Sequence, residues 1–319
     1  MEKILLDVHA HVAPILPDRL ATIAGVTLRA AEGHAMVDGQ RVGLEPVSRP
    51  EALVEWMDRN QVERAWISIP PPLYRLELGE AAAKEWTSYV NDGLRAMAAR
   101  FPDRLSAMLH LPLQQPALAA AIVADRAAGA PRFAMPAGSA AGKLALSDAA
   151  YAPLWAALDR AEAFLFLHPS KGCDPRLDAF YLHNLLGNPN ETAIAAAHLA
   201  MSGILERHPG MQVCLAHGGG SAAAVAGRLE RGQSTGRPGA DTGALPVRQA
   251  FRHFCVDCIT HDAATLRLAA ETFGADKVLF GSDWPFAMGL PEPHRQLADI
   301  DAGLRQRIFQ ANPARLRKA

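Results

Sequence analysis

Apolar and polar positions along this 319-residue chain fall into a repeating two-part pattern. Short, nearly unbroken apolar runs alternate with longer amphipathic stretches. Unbroken runs of this length are the mark of strands buried on both faces of a parallel sheet, and the amphipathic stretches between them read as helices. The first run, Ile4-Leu5-Leu6-Asp7-Val8-His9-Ala10-His11-Val12, predicts strand one. Residues 13–50 break the rhythm with prolines, glycines and short alternating pieces. Val37-Asp38-Gly39-Gln40-Arg41-Val42 reads there as a hairpin around an Asp-Gly turn, so the segment is a small β insertion.

From residue 50 the alternation is regular. Strands are predicted over 62–69, 104–111, 132–135, 163–167, 212–216, 251–258 and 277–280. Helices are predicted over 50–60, 80–100, 116–128, 148–160, 192–207, 221–231 and 262–272, with two short pieces over 293–300 and 301–310 closing the chain. Eight β/α units in one chain of this length predict a single α/β domain over 1–319: a (β/α)8 TIM barrel with a small β insertion after strand 1, at about 13–50. A doubly wound open sheet is the competing topology, but no G-x-G-x-x-G follows the first strand.

Composition narrows the partners. Half the residues are hydrophobic and 20% are charged, as in a soluble globular protein, and the net charge of −1 carries no long run of either sign. That argues against nucleic acid or an anionic membrane surface as the main partner. No apolar run approaches the ~18–20 residues of a membrane span. His9 and His11 interrupt the N-terminal run, which therefore does not read as a signal peptide. Four cysteines fit a reducing compartment without a disulfide framework, so the expected location is cytoplasmic. Cys255 and Cys258 form a C-x-x-C, but in a strand they would face opposite sides, which argues against a zinc ribbon or redox pair.

The candidate chemistry lies at strand ends. His9 and His11 are two apart on strand one and project from one face, which makes half of a metal site. In a barrel, functional residues sit on the strands' C-terminal ends. His168 ends strand five, His217 ends strand six and Asp283 ends strand eight. Imidazoles and a carboxylate in this number suit one divalent transition ion, with Zn²⁺ first among Zn²⁺, Mn²⁺, Co²⁺ and Fe²⁺. A further histidine beside it can act as general acid or base.

Asp7-Val-His9-Ala-His11, His168-Pro169, His217-Gly218-Gly219-Gly220 and Gly281-Ser282-Asp283-Trp284-Pro285-Phe286 resemble the amidohydrolase superfamily. Within it they resemble the branch around aminocarboxymuconate-semialdehyde decarboxylase. The runs Leu186–Thr192, Ser202–Arg207, Ala216–Gly220 and Gly227-Arg228 extend the likeness along the whole chain. The resemblance implies His9, His11, His168 and Asp283 as metal ligands and His217 as the catalytic histidine. It further implies Arg41 and Arg228 as carboxylate-binding residues, Arg228 from the neighbouring subunit of a homodimer, and Phe286 as an aromatic covering the pocket.

The chain departs from the branch at Ser170-Lys171, where the decarboxylase has Trp-Asp, and at Asn184, where it has Trp. These positions border the pocket mouth, so the resemblance does not name the substrate. Lys171, His110, His183 and His261 are further candidates for lining it. The expected activity is metal-dependent, non-oxidative decarboxylation of a small unsaturated or aromatic carboxylic acid. The alternative is hydrolysis of a lactone or amide, with His217 or Asp283 as base. A ligand-binding protein that has lost catalysis is a third reading, and the presence of all five site residues speaks against it.

Overall fold

A computed structural model describes residues 2–125, 131–138, 145–170 and 174–316. Lys171 and the basic terminal residues Arg317 and Lys318 lie outside the described residues. The strands in chain order are β1 (Ile4–His11), β2 (Val26–Arg29), β3 (His34–Val37), β4 (Gln40–Gly43), β5 (Val62–Ser68), β6 (Leu105–Ala107), β7 (Leu109–His110), β8 (Arg132–Pro136), β9 (Phe164–His168), β10 (Gln212–Leu215), β11 (Cys255–Asp257) and β12 (Val278–Leu279).

The parallel strands run β1-β5-β6 and β7-β8-β9-β10-β11-β12. Met108 alone separates β6 from β7, which are two halves of one barrel strand. The seam between β12 and β1 is closed by Val8 N donating to Phe280 O at 3.0 Å and His11 N donating to Trp284 O at 2.8 Å. The result is the (β/α)8 barrel. Side chains such as Leu6, Val8, Trp66, Met108, Phe166 and Cys214 pack into a buried cluster among the strands. A larger layer, including Ile4, Leu53, Leu94, Leu158 and Phe251, packs strands against helices. The insertion is the antiparallel sheet β2-β3-β4, with Val37 opposite Gln40 across the Asp38-Gly39 turn.

Three expectations change. Residues 251–258 are not one strand: Val247–Phe251 is a helix, and β11 begins only at Cys255. Pro246 precedes that helix, and Val247, Ala250 and Phe251 are all buried at helical spacing, so the apolar run mixed two elements. The predicted helix over 192–207 starts at Asn188 and breaks after Met201, where Gly203 takes a φ of +68° before Ile204–Arg207. The C-terminal helices shorten to Pro293–Gln296 and Ala302–Gln306. Cys214, Cys255 and Cys258 are free. No described helix is long and apolar enough to cross a membrane.

Candidate metal centre and pocket

The strand alternation that put His9 and His11 on one face of β1 points both rings into the barrel mouth, where both are fully buried. His168 arrives at the end of β9, His217 just after β10, and Asp283 after β12. His217 and Asp283 both have positive φ, +56° and +54°, a conformation that non-glycine residues adopt at a cost of about 1–3 kcal/mol. The turn after His217 is built for this: Gly218, Gly219 and Gly220 all have positive φ, and a Cβ on Gly220 would stand 2.2 Å from Pro189 O.

Hydrogen bonds fix three of the imidazoles. His9 Nδ1 lies 2.7 Å from Asp257 Oδ2. His11 Nδ1 lies 3.2 Å from Ile69 O, and His168 Nδ1 lies 2.9 Å from Pro169 O. These oxygens only accept, so each Nδ1 carries the proton and each Nε2 can turn a lone pair inward. His9 Nε2 is 3.0 Å from His11 Nε2, and both are 3.2 Å from Asp283 Oδ1. His168 Nε2 is buried with no hydrogen-bond partner among the described residues. One potential ligand atom from each of His9, His168, His217 and Asp283 lies within 4.8 Å of the others.

Acceptors gathered this closely repel unless positive charge stands between them. The donor set therefore fits a divalent ion that prefers nitrogen and carboxylate ligands. The titration tendencies agree. Burial acts to lower the His9 pKa, but the charge of Asp283 and the bond to Asp257 outweigh it and lift it to about 10. Burial and the neighbouring imidazoles push His168 well below the ordinary value. Burial alone would raise Asp283, yet the charge on His9 and the close imidazoles of His11 and His217 hold it well below the usual carboxylate range. One positive charge at this point is what the field favours, and a bound cation would take the place of that proton.

His217 is built differently. Its Nε2 is 3.9 Å from Asp283 Oδ2, and its Nδ1 is buried with no hydrogen-bond partner among the described residues. It shares the convergence point, but no acceptor dictates which nitrogen holds its proton.

The site opens into a cavity of about 720 Å³. Phe286 lines it, with its ring 5.5 Å from that of His11. His183, Asn184 and Ser170 line it as well. Arg41 does not: it is exposed on β4, while its neighbour Gln40 faces the cavity. The guanidinium in the wall belongs to Arg75, whose Nε and Nη2 donate to the two oxygens of Asp38 at 2.8 and 2.7 Å. Arg228 is exposed on the helix Ala222–Ser234 and lines a separate surface cleft with Arg231 and Arg237. That cleft is larger, about 1000 Å³, but holds none of the converging ligands. His261 is exposed, and Trp284 is packed in the core.

Tyr74 and Asp257 are not singled out by the sequence pattern. Tyr74 lines the cavity with its ring 6.2 Å from that of His168 and stacked at 5.6 Å and 7° on buried His110. Burial, with the charge of Asp283, raises its pKa well above the ordinary value, so the phenol keeps its proton. Asp257 accepts from His9 Nδ1, His217 N, Gly218 N and Ile259 N. Burial acts to raise its pKa, but these bonds hold it below the ordinary value. Its signal was a lone acid closing an apolar strand, the feature that marked Asp283.

Comparison with known proteins agrees with this geometry. The chain is 26% identical over 310 residues to 2-amino-3-carboxymuconate-6-semialdehyde decarboxylase of Dictyostelium discoideum, covering 92% of this chain and 85% of that protein. The structure of 2,6-dihydroxybenzoate decarboxylase from Rhizobium superposes with a TM-score of 0.74 at 22% identity, over 99% of this chain and 98% of that one. That of 5-carboxyvanillate decarboxylase from Novosphingobium aromaticivorans, complexed with manganese and 4-hydroxy-3-methoxy-5-nitrobenzoic acid, does so at 0.76 and 19% identity, over 97% and 94%. The amidohydrolase family model matches residues 6–316, and the chain belongs to that family, in its aminocarboxymuconate-semialdehyde decarboxylase-like branch.

Proposed function

We propose that this protein is a metal-dependent, non-oxidative decarboxylase of a small aromatic or unsaturated carboxylic acid. The observation that carries the reading is the convergence of three tautomer-fixed imidazoles and Asp283 beside the unanchored His217, at the base of a cavity with aromatic walls. His9, His11, His168 and Asp283 would hold one divalent ion, with Zn²⁺ the first candidate and Mn²⁺, the ion named for a structural neighbour, the second. When bound, the ion supplies Lewis-acid charge that holds the substrate's anionic oxygens.

The chain's own residues do the rest. Phe286, Tyr74 and Tyr181 line the cavity and offer ring surface against which an aromatic substrate packs. The bond between the substrate carbon and its carboxylate breaks, the electron pair stays on that carbon, and His217 delivers a proton to it from Nε2. Arg41, exposed on β4 next to the cavity-lining Gln40, is the proposed carboxylate partner. Arg228 lies on the outer ring of helices, too far round to serve its own cavity, and completes the neighbouring pocket of a homodimer.

Purified protein should release CO₂ from one or more hydroxybenzoates or unsaturated dicarboxylic acids. Uptake of water by a lactone or amide with no CO₂ release would instead establish the hydrolase reading, to which the decarboxylases compared above give no support. Mixing inactive Arg228→Ala and His217→Ala chains should restore part of the activity. A hybrid dimer then has one pocket with its own His217 and its neighbour's Arg228. No recovery despite proven subunit exchange would defeat the shared site.

A further inference from the structure

Asp257 sits at 0% exposure in the barrel, where β11 meets β12 and the end of β1. A buried carboxylate is retained only where donors satisfy it, and here all the donors are protein N–H groups. Oδ2 accepts from His9 Nδ1 at 2.7 Å and His217 N at 2.9 Å. Oδ1 accepts from Gly218 N at 2.9 Å and Ile259 N at 3.0 Å. Each oxygen thus receives two donors. Access is given by Gly281, where a Cβ would come within 2.9 Å of both Asp257 Cβ and His9 Cβ.

We infer that Asp257 is a positioning residue that couples two functions through its two oxygens. It holds His9 in the Nδ1–H tautomer, leaving Nε2 free to ligate, and it pins the positive-φ backbone of His217 that aims the proton-donating imidazole. The inference rests on the proposed assignment of His9 as a metal ligand.

The bonding pattern makes the role specific to a carboxylate. In Asp257→Asn the amide nitrogen replaces one acceptor. Facing Gly218 N and Ile259 N, it would set donor against donor. Facing His9 and His217 N, it would do the same; His9 could relieve its half only by moving its proton to Nε2, which removes the ligating lone pair, and His217 N would still meet a donor. Either orientation weakens the site without changing side-chain volume.

The test uses the full chain loaded with Zn²⁺, which is diamagnetic. Chelator competition should find Zn²⁺ held 10–100-fold more weakly by Asp257→Asn than by the unaltered protein. Imidazole ¹⁵N NMR of the unaltered protein should show a protected Nδ1–H on His9 that is lost or exchanges faster in the variant. A purely structural role would lower the melting temperature and leave both readouts unmoved. A folded Asp257→Asn protein that holds Zn²⁺ within twofold of the unaltered chain overturns the inference. If the variant does not fold, the unaltered protein still decides, because a His9 without a protected Nδ1–H overturns it equally. An unaltered chain that takes up neither Zn²⁺ nor Mn²⁺ overturns the metal reading itself, an outcome distinct from a failed positioning role.

Discussion

His217 Nε2 faces Asp283 Oδ2 across 3.9 Å, while His217 Nδ1 is buried without a hydrogen-bond partner among the described residues. The other three imidazoles of the site each have Nδ1 tied to an oxygen. A ring that must hold an ion benefits from a fixed tautomer, and one that must pass a proton benefits from a free one. His217→Ala should therefore keep most of its metal and lose roughly 10²–10⁴ in kcat. Elemental analysis beside steady-state kinetics checks this, and loss of metal with the variant would assign His217 as a ligand.

The inward lone pairs of His9, His11 and His168 make the opposite prediction for those positions. Truncating His11 or His168 to Ala removes a ligand held by a backbone carbonyl, so metal content should fall below one ion per chain together with activity. Prolonged treatment with a chelator should do the same to the unaltered protein, and readdition of Zn²⁺ or Mn²⁺ should restore turnover. Full activity in protein shown by mass spectrometry to be metal-free would refute the site.

Much of this candidate site is legible because its candidate ligands close apolar strands. His9, His11, His168, His217 and Asp283 could each be placed at the barrel mouth from local pattern alone, and the structure gathers them there. What was not legible depends on contacts distant in sequence. Asp257 reads as one acid inside a run that also contains the buried end of a helix, and its function appears only when β1 and β10 meet it. The family resemblance points to Arg41, but strand alternation in β4 turns Gln40 toward the cavity and leaves Arg41 exposed. The guanidinium that lines the wall, Arg75, follows a Pro-rich turn whose sequence carries no periodicity.

Arg75 fastens the tip of the β insertion to the barrel. Its buried side chain gives a two-pronged bond to Asp38, a third bond at 2.7 Å to Ala24 O, and lies 4.8 Å over the Trp86 ring. Val37, Asp38 and Gln40 of that tip form part of the cavity wall. Arg75→Ala should release the tip and raise KM roughly tenfold, the equivalent of about 1.4 kcal/mol, with metal content unchanged. Arg75→Lys should not rescue it, since an ammonium lacks the planar fork. An unaltered KM in both variants would make the contact incidental.

His110 predicts a pH dependence of stability. It lies at the end of β7, with its backbone N and O both bonded to Asn91 at 2.7 and 3.1 Å, so it cannot move toward water. Neither ring nitrogen has a hydrogen-bond partner among the described residues, and burial lowers its pKa to about 3. In the unfolded chain the same imidazole titrates near its ordinary value of about 6.5. As pH falls through 6.5, the unfolded state therefore takes up a proton that the folded state refuses, and stability is lost until about pH 3. Between pH 7 and 5 the loss from this residue is about 2 kcal/mol. His110→Gln should flatten that part of the profile. Urea unfolding of metal-saturated protein over this range measures it, and the metal ligands contribute equally to both chains. Parallel profiles for the two proteins would mean that His110 already titrates normally in the fold, with water reaching its ring.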